Sequence, residues 1–176
     1  MSCKADAKYN FGRASAHDDI VFGAARPGAA SQRCFNPDDK VTVPEVEEWA
    51  AFMSGHGVTR VVSLLSQSEV GTYVQPPTDT LATLFKRAVL VDAKAPGAAD
   101  QLVAELKAAV DAGEKVVVHC WGGGGRTGMA LAAWLVRQHG LTPEAAAEQV
   151  ESYAKGQGAS RRADVAQLRA FLGTSA

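Results

Sequence analysis

The chain has 176 residues, 47% apolar and 21% charged, with 18 lysines and arginines against 19 aspartates and glutamates and a net charge of -1. Such a balance fits one globular domain around one hydrophobic core and excludes an intrinsically disordered chain. No apolar run approaches the roughly 20 residues a membrane span needs, and the near-neutral charge argues against nucleic acid or an anionic membrane as a general partner.

Three cysteines, Cys3, Cys34 and Cys120, stand at unrelated spacings. An odd number without a pattern is neither a disulfide framework nor a zinc site; it points to a reducing compartment and at least one free thiol. No charged leader followed by an apolar stretch opens the sequence, so the expected location is the cytoplasm.

Residues 1–19 carry no apolar period and read as a loosely docked arm, with the domain proper expected over 20–173. A short strand is predicted over 20–23, closed by turn signals at Pro27 and Gly28. Pro44 at a first helical position, then Val46, Trp49, Ala50 and Met53, predicts a helix over 44–54; residues 58–65 follow as a strand. Leu81, Leu84 and Phe85 share one face of a helix expected over 78–87, with a brief strand over 88–91 ending just before Asp92. Residues 98–112 form an amphipathic helix that Gly113 should stop. Lys115 to His119 holds three consecutive valines, the mark of a strand buried on both faces. Helices are then expected over 129–138, from Pro143 onward behind the capping Thr142, and over 162–172. Alternating strands and helices imply an α/β fold: a central, largely parallel sheet of about four to five strands with helices on both faces. Function in such sheets gathers beyond the carboxyl ends of the strands, where the loops starting near Asp92 and Cys120 lie.

The stretch from His119 to Gly128 carries the chemistry. A strand delivers Cys120, Trp121 and four consecutive glycines (Gly122, Gly123, Gly124, Gly125) into a helix start at Arg126 and Thr127. Glycines permit a tight turn whose N–H groups point inward, and such a concavity at a helix N-terminus suits phosphate. Curling residues 121–125 around a tetrahedral anion sets the Cys120 thiol beneath phosphorus while the Arg126 guanidinium grips two oxygens as a fork. A free cysteine, with a pKa of about 8.5, is only slightly ionised at neutral pH. Lowering that by about 3 units requires about 4 kcal/mol, whereas a helix dipole supplies about 0.3 to 1 and at most about 2. Loop amides and Arg126 must supply the rest, with the Thr127 hydroxyl placed to donate to the sulfur when it leaves. A solvated glycine linker does not fit between a valine-rich strand and an apolar helix. A nucleotide-binding P-loop would need glycine at Cys120 and lysine at Arg126. An inert buried cysteine does not account for the arginine-closed loop.

His-Cys, five residues, then Arg-Thr-Gly resembles the signature of the cysteine-dependent protein tyrosine phosphatases, including their dual-specificity branch. The resemblance extends from about residue 20 to 172, through the Gly23 to Gly28 stretch, the Trp49 helix, the strand after Gly57 and the terminal Gln167, all similar to small dual-specificity phosphatases of the kinase-associated type. It implies a two-step reaction in which Cys120 takes the phosphoryl group and water then hydrolyses the cysteinyl-phosphate. It also implies a general acid about thirty residues earlier. Asp92, followed by Pro96, matches; Asp79 and Asp100 look like helix-capping or dipole partners. His119 carries over as the buried histidine that orients the loop. No cofactor and no metal is implied, and the partner is a phosphoprotein or a small phosphorylated substrate.

The loop has no lysine, unlike the phosphoinositide phosphatases of this superfamily, so highly charged lipids are disfavoured; no tyrosine-bearing clamp for phosphotyrosine is recognisable. Arg26, Arg161 and Arg162 are candidates for a second anionic contact, against the usual solvated fate of surface arginines. Trp121 either lines the pocket mouth or packs beneath it. His17, His56 and His139 are expected at the surface, and Cys3 or Cys34 is a candidate for disulfide protection of Cys120. The rival to an enzyme is a catalytically weak phospho-ligand binding or scaffold module with the same pocket. A cysteine-based sulfurtransferase or arsenate reductase fits Thr127 and Asp92 less well.

Overall fold

The computed structural model describes residues 7–29 and 39–174, so Cys3 and Cys34 lie outside the described residues. Five strands, β1 (Gly12–Arg13), β2 (Val21–Ala24), β3 (Val58–Ser63), β4 (Arg87–Leu90) and β5 (Lys115–His119), form one sheet in the order β1-β2-β5-β3-β4. Only the β1 and β2 pair is antiparallel. Among the described residues the helices are α1 (Val43–Gly55), α2 (Gln67–Val70), α3 (Pro77–Leu84), α4 (Ala98–Ala112), α5 (Gly125–His139), α6 (Pro143–Gly156) and α7 (Val165–Leu172). None is long and apolar enough to cross a membrane.

The valines of β5 explain the layering. Val116 and Val118 enter one core with Leu102, Leu131, Val150 and Leu168 from α4 to α7, whereas Val117 enters a second with Trp49, Met53 and Leu81 from α1 and α3. A strand that feeds two cores has no solvated face, hence its unbroken apolar run. Gly113 stops α4 in the left-handed region, and Thr142 caps α6 by accepting from the Ala145 amide.

Three expectations need correction. Helix α3 ends at Leu84, not Arg87, and Leu84 is 48% exposed: β4 must pair with β3 from Arg87 on, so Phe85 turns extended and drops into the second core. Residues 162–164 precede α7, because the Arg162 amide donates to Gly124 O and the Ala163 amide to Glu151. The third concerns the segment read as a loose arm. From residue 7 it is docked: Tyr9, Ala14 and Ser15 are buried, β1 pairs with β2, and Trp134 Nε1 donates to Asp18. His139 is half-buried beside the same carboxylate, while His17 and His56 are exposed.

Because β5 lies between β2 and β3, its carboxyl end opens where the strand order reverses, the place where open α/β sheets bind ligands. His119 is in register with Ala24 on one side and Ser63 on the other, and Val91 N bonds to Ser63 O next door. The Cys120 loop, the segment after β3 and the Asp92 loop thus share one edge.

Candidate active site

Consecutive residues diverge at the end of β5. Cys120 turns into the core under α4 to α7, 2% exposed and a free thiol, while Trp121 packs against the opposite core. The glycines are not equivalent. Gly123, at φ +78, passes so close to the Ala24 carbonyl that a Cβ would lie 2.7 Å from it; Gly122 and Gly125 face open space. At Gly128 a Cβ would sit 2.2 Å from Arg162 O, so this glycine lets the segment before α7 lie against α5. Helix α5 starts from Gly124 with no side-chain cap and no acidic residue in its first turn, leaving its amide end free for an anion.

Arg126 is fixed by a residue that sequence reading missed. Nη1 donates to Leu64 O at 2.9 Å and to Glu69 at 2.7 Å, and Nη2 donates to the other Glu69 oxygen at 2.7 Å. Arg126 holds the Glu69 carboxyl down at about 2. Of the five guanidinium N–H groups, Nε–H and one on Nη2 make no protein hydrogen bond among the described residues. They lie side by side on the edge away from Glu69, a fork for two oxygens. Glu69 is held in turn by a capping box on α2, taking the Ser66 amide while Ser66 Oγ accepts from the Glu69 amide. The Ser-x-x-Glu spacing was the available signal.

His119 is fully buried, edge-on to Trp49 at 5.3 Å, and Nδ1 faces Cys120 O at 3.3 Å. Burial holds its pKa down to about 4, so the ring is neutral at physiological pH. Thr127 is buried, and its hydroxyl has no hydrogen-bond partner among the described residues, the Cys120 sulfur included. Asp92 lies beyond β4, exposed, its carboxylate accepting from the Lys94 amide at 2.9 Å. Asp79 and Asp100 stand in the first turns of α3 and α4, Asp100 paired with Arg137.

The three arginines grouped by sequence part company. Arg26 stacks on Trp121, its guanidinium 3.5 Å from the ring centre, and donates to Trp121 O. Arg162 is exposed and lines a cleft of about 450 Å³ with Trp121, Gly124, Arg126, Met129 and Gln167. Arg161 is no surface residue: it is 5% exposed. Trp121, packed against the second core, also borders a second cleft of about 420 Å³ with Ser68, Glu69, Thr72 and Arg126. No cluster of three or more His, Cys, Asp or Glu that could hold a metal ion occurs among the described residues.

The family model described as Tc-R-P, polymorphic toxin system, DSP-PTPase phosphatase, matches residues 40–140. No curated protein matches. Solved structures similar to this chain include kinase associated phosphatase carrying a serine for its catalytic-site cysteine, at 19% identity over 89% of both chains with a TM-score of 0.63. Tk-PTP in its active form is 22% identical over 89% of this chain and 90% of its own, TM-score 0.58. Human DUSP28 is 18% identical over 97% of each, TM-score 0.55. At such identities the likeness is one of fold, which is the protein tyrosine phosphatase fold expected from the sequence. The chain therefore belongs to the DSP-PTPase phosphatase family of polymorphic toxin systems, within the dual-specificity branch of the cysteine-dependent phosphatases.

Proposed function

We propose that the chain hydrolyses phosphomonoesters of proteins or small molecules through a cysteinyl-phosphate, as a dual-specificity phosphatase. The observation that carries this reading is the unused edge of Arg126, aimed by Glu69 and Leu64 O at the end of the loop that Cys120 begins. Phosphate would sit between the loop amides and that edge, two oxygens on Nε and Nη2, phosphorus above the Cys120 sulfur. The thiolate attacks phosphorus in line; the ester P–O bond breaks as Asp92 donates its proton to the leaving oxygen. Asp92, now a carboxylate, takes a proton from water, whose oxygen attacks phosphorus. The P–S bond breaks, and the departing thiolate accepts a hydrogen bond from Thr127. The buried, otherwise unpartnered Thr127 hydroxyl supports that last role. His119, neutral and wedged between Trp49 and the Cys120 carbonyl, holds the start of the loop.

One observation favours the binding-module reading instead: the Asp92 carboxylate is engaged by the Lys94 amide within its own exposed turn. Steady-state hydrolysis of aryl phosphates with good and poor leaving groups decides between them. Cys120→Ser should abolish turnover and retain phosphate-ligand binding. Asp92→Ala should lower kcat about 10²-fold for poor leaving groups and much less for good ones. No turnover in the wild type, or equal losses for both leaving groups, overturns the respective assignment.

A further inference from the structure

Cys120 is buried, and a buried anion is costly unless a counter-charge faces it. Besides Arg162, which is exposed, four basic side chains are candidates for that task. His119 is neutral, Arg126 is already paired with Glu69, and Arg26 is stacked on Trp121. Arg161 differs from all three. It is a buried arginine for which no carboxylate partner is found among the described residues; Nη1 donates to Ser160 O and Nη2 to Asn10 O at 2.7 Å, both uncharged.

Its position is equally specific. Arg161 packs against Gly23, where a Cβ would meet Nε and Nη2 at 2.9 Å and the Thr127 methyl at 2.8 Å. Gly23 is in register with Val118 of β5, two residues before Cys120. Arg161 and Thr127 therefore meet over the sheet edge behind the phosphate loop, and each has a buried polar atom, Nε and Oγ1, without a protein partner. A buried donor left unsatisfied is costly, and an anion within reach of both would satisfy each of them.

The guanidinium is held there by a strained clasp. Tyr9 and Asn10 sit at φ 54 and 52, a left-handed region costly for non-glycine residues. That backbone turns Asn10 O toward Arg161, while the Asn10 side chain donates to Gly122 O and Ser160 O and accepts from the Ser160 amide. One residue thus ties the phosphate loop to the Arg161 segment. Burial holds Arg161 down to about 10, still cationic at neutral pH, and attraction to the Cys120 sulfur works against that lowering.

We propose that Arg161 is a positioning residue that acts from behind the phosphate loop as the buried counter-charge of the Cys120 thiolate, without touching substrate. This rests on the assignment of Cys120 as the nucleophile. The charged and titratable groups around the sulfur are His119 on β5, Arg126 on α5 with Glu69 on α2, Arg26 after β2, Arg162 beside the loop, and exposed Asp92 after β4.

The test is the pH dependence of iodoacetamide alkylation of Cys120, followed by mass spectrometry of the Cys120 peptide so that Cys3 and Cys34 do not contribute. Arg161→Met should raise the alkylation midpoint by about one pH unit or more, while Arg161→Lys, which keeps the charge, should restore most of it. A folded Arg161→Met protein with the wild-type midpoint, or a lysine variant shifted as far as the methionine one, overturns the proposal. Should the methionine variant fail to fold, NMR of the wild type decides: the Arg161 Nε–H resonance should move with the Cys120 midpoint and cease to move in Cys120→Ser. A resonance indifferent to Cys120 overturns it. Alkylation needs no turnover, so a protein with a low Cys120 midpoint that hydrolyses no phosphomonoester would sink the proposed function separately.

Discussion

Arg126 closes the loop that Cys120 begins and Arg161 packs at Gly23 on the neighbouring strand, and the two are held in opposite ways. Arg126 stands in front, one third exposed, its charge opposed by the Glu69 carboxylate through two bonds of 2.7 Å. Arg161 stands behind, buried, its hydrogen bonds among the described residues going to carbonyl oxygens. The carboxylate fixes the orientation of Arg126 and offsets part of its charge, leaving one fixed free edge, which in the proposed function meets an incoming anion. The rear arginine has no carboxylate partner among the described residues and is buried. In the proposed mechanism, aiming a fork and supplying a field are thus divided between two residues.

The largest expected effect tests the front. Arg126→Ala should lower kcat/KM for an aryl phosphate about 10² to 10³-fold, whereas Glu69→Gln, which leaves the guanidinium in place but less firmly aimed, should cost about tenfold. Equal losses would mean that Glu69 does more than orient. A smaller effect contrasts the two sides through their glycines. Gly23→Ala drives a methyl against Arg161 and Thr127 and should cost about 1 to 3 kcal/mol, a fall of several degrees in Tm, whereas Gly122→Ala enters open space and should leave Tm nearly unchanged. A Tm loss at Gly122 matching that at Gly23 would break the distinction. The smallest effect is acid stability. Glu69 is a carboxylate held below its ordinary 4.5, so its contribution is present above about pH 4.5 and lost as pH falls through about 2. The pair is partly exposed, so the loss should stay within about 1 kcal/mol. Thermal melts between these limits should flatten in Glu69→Gln, and a wild-type slope retained in that variant would remove the ion pair as its cause.

What the sequence revealed and what it hid follow from the range of the forces involved. The β5 valines, the Gly113 stop and the loop from Cys120 to Arg126 were legible because periodicity, turn chemistry and spacing are local. Glu69 was half-legible: its capping box is written in four residues, but a single helical turn has no period to draw attention to it. Arg161 was legible as a candidate anion contact, but its burial was not. Its burial depends on Asn10 O, 151 positions away, and on a Tyr9 and Asn10 backbone that no local preference would select. The premature end of α3 has a similar cause, since strand pairing at Arg87 overrides a helical pattern that runs on through Phe85.

The stacking of Trp121 on Arg26 has a practical consequence. Of the three indoles in the chain, Trp49 and Trp134 are sealed from solvent, and Trp121 alone is partly accessible, on the rim of both clefts beside Arg126. A collisional quencher such as acrylamide would therefore report on one fluorophore, so the proposed oxyanion site carries its own optical gauge in the wild-type chain, readable by titration without label or turnover.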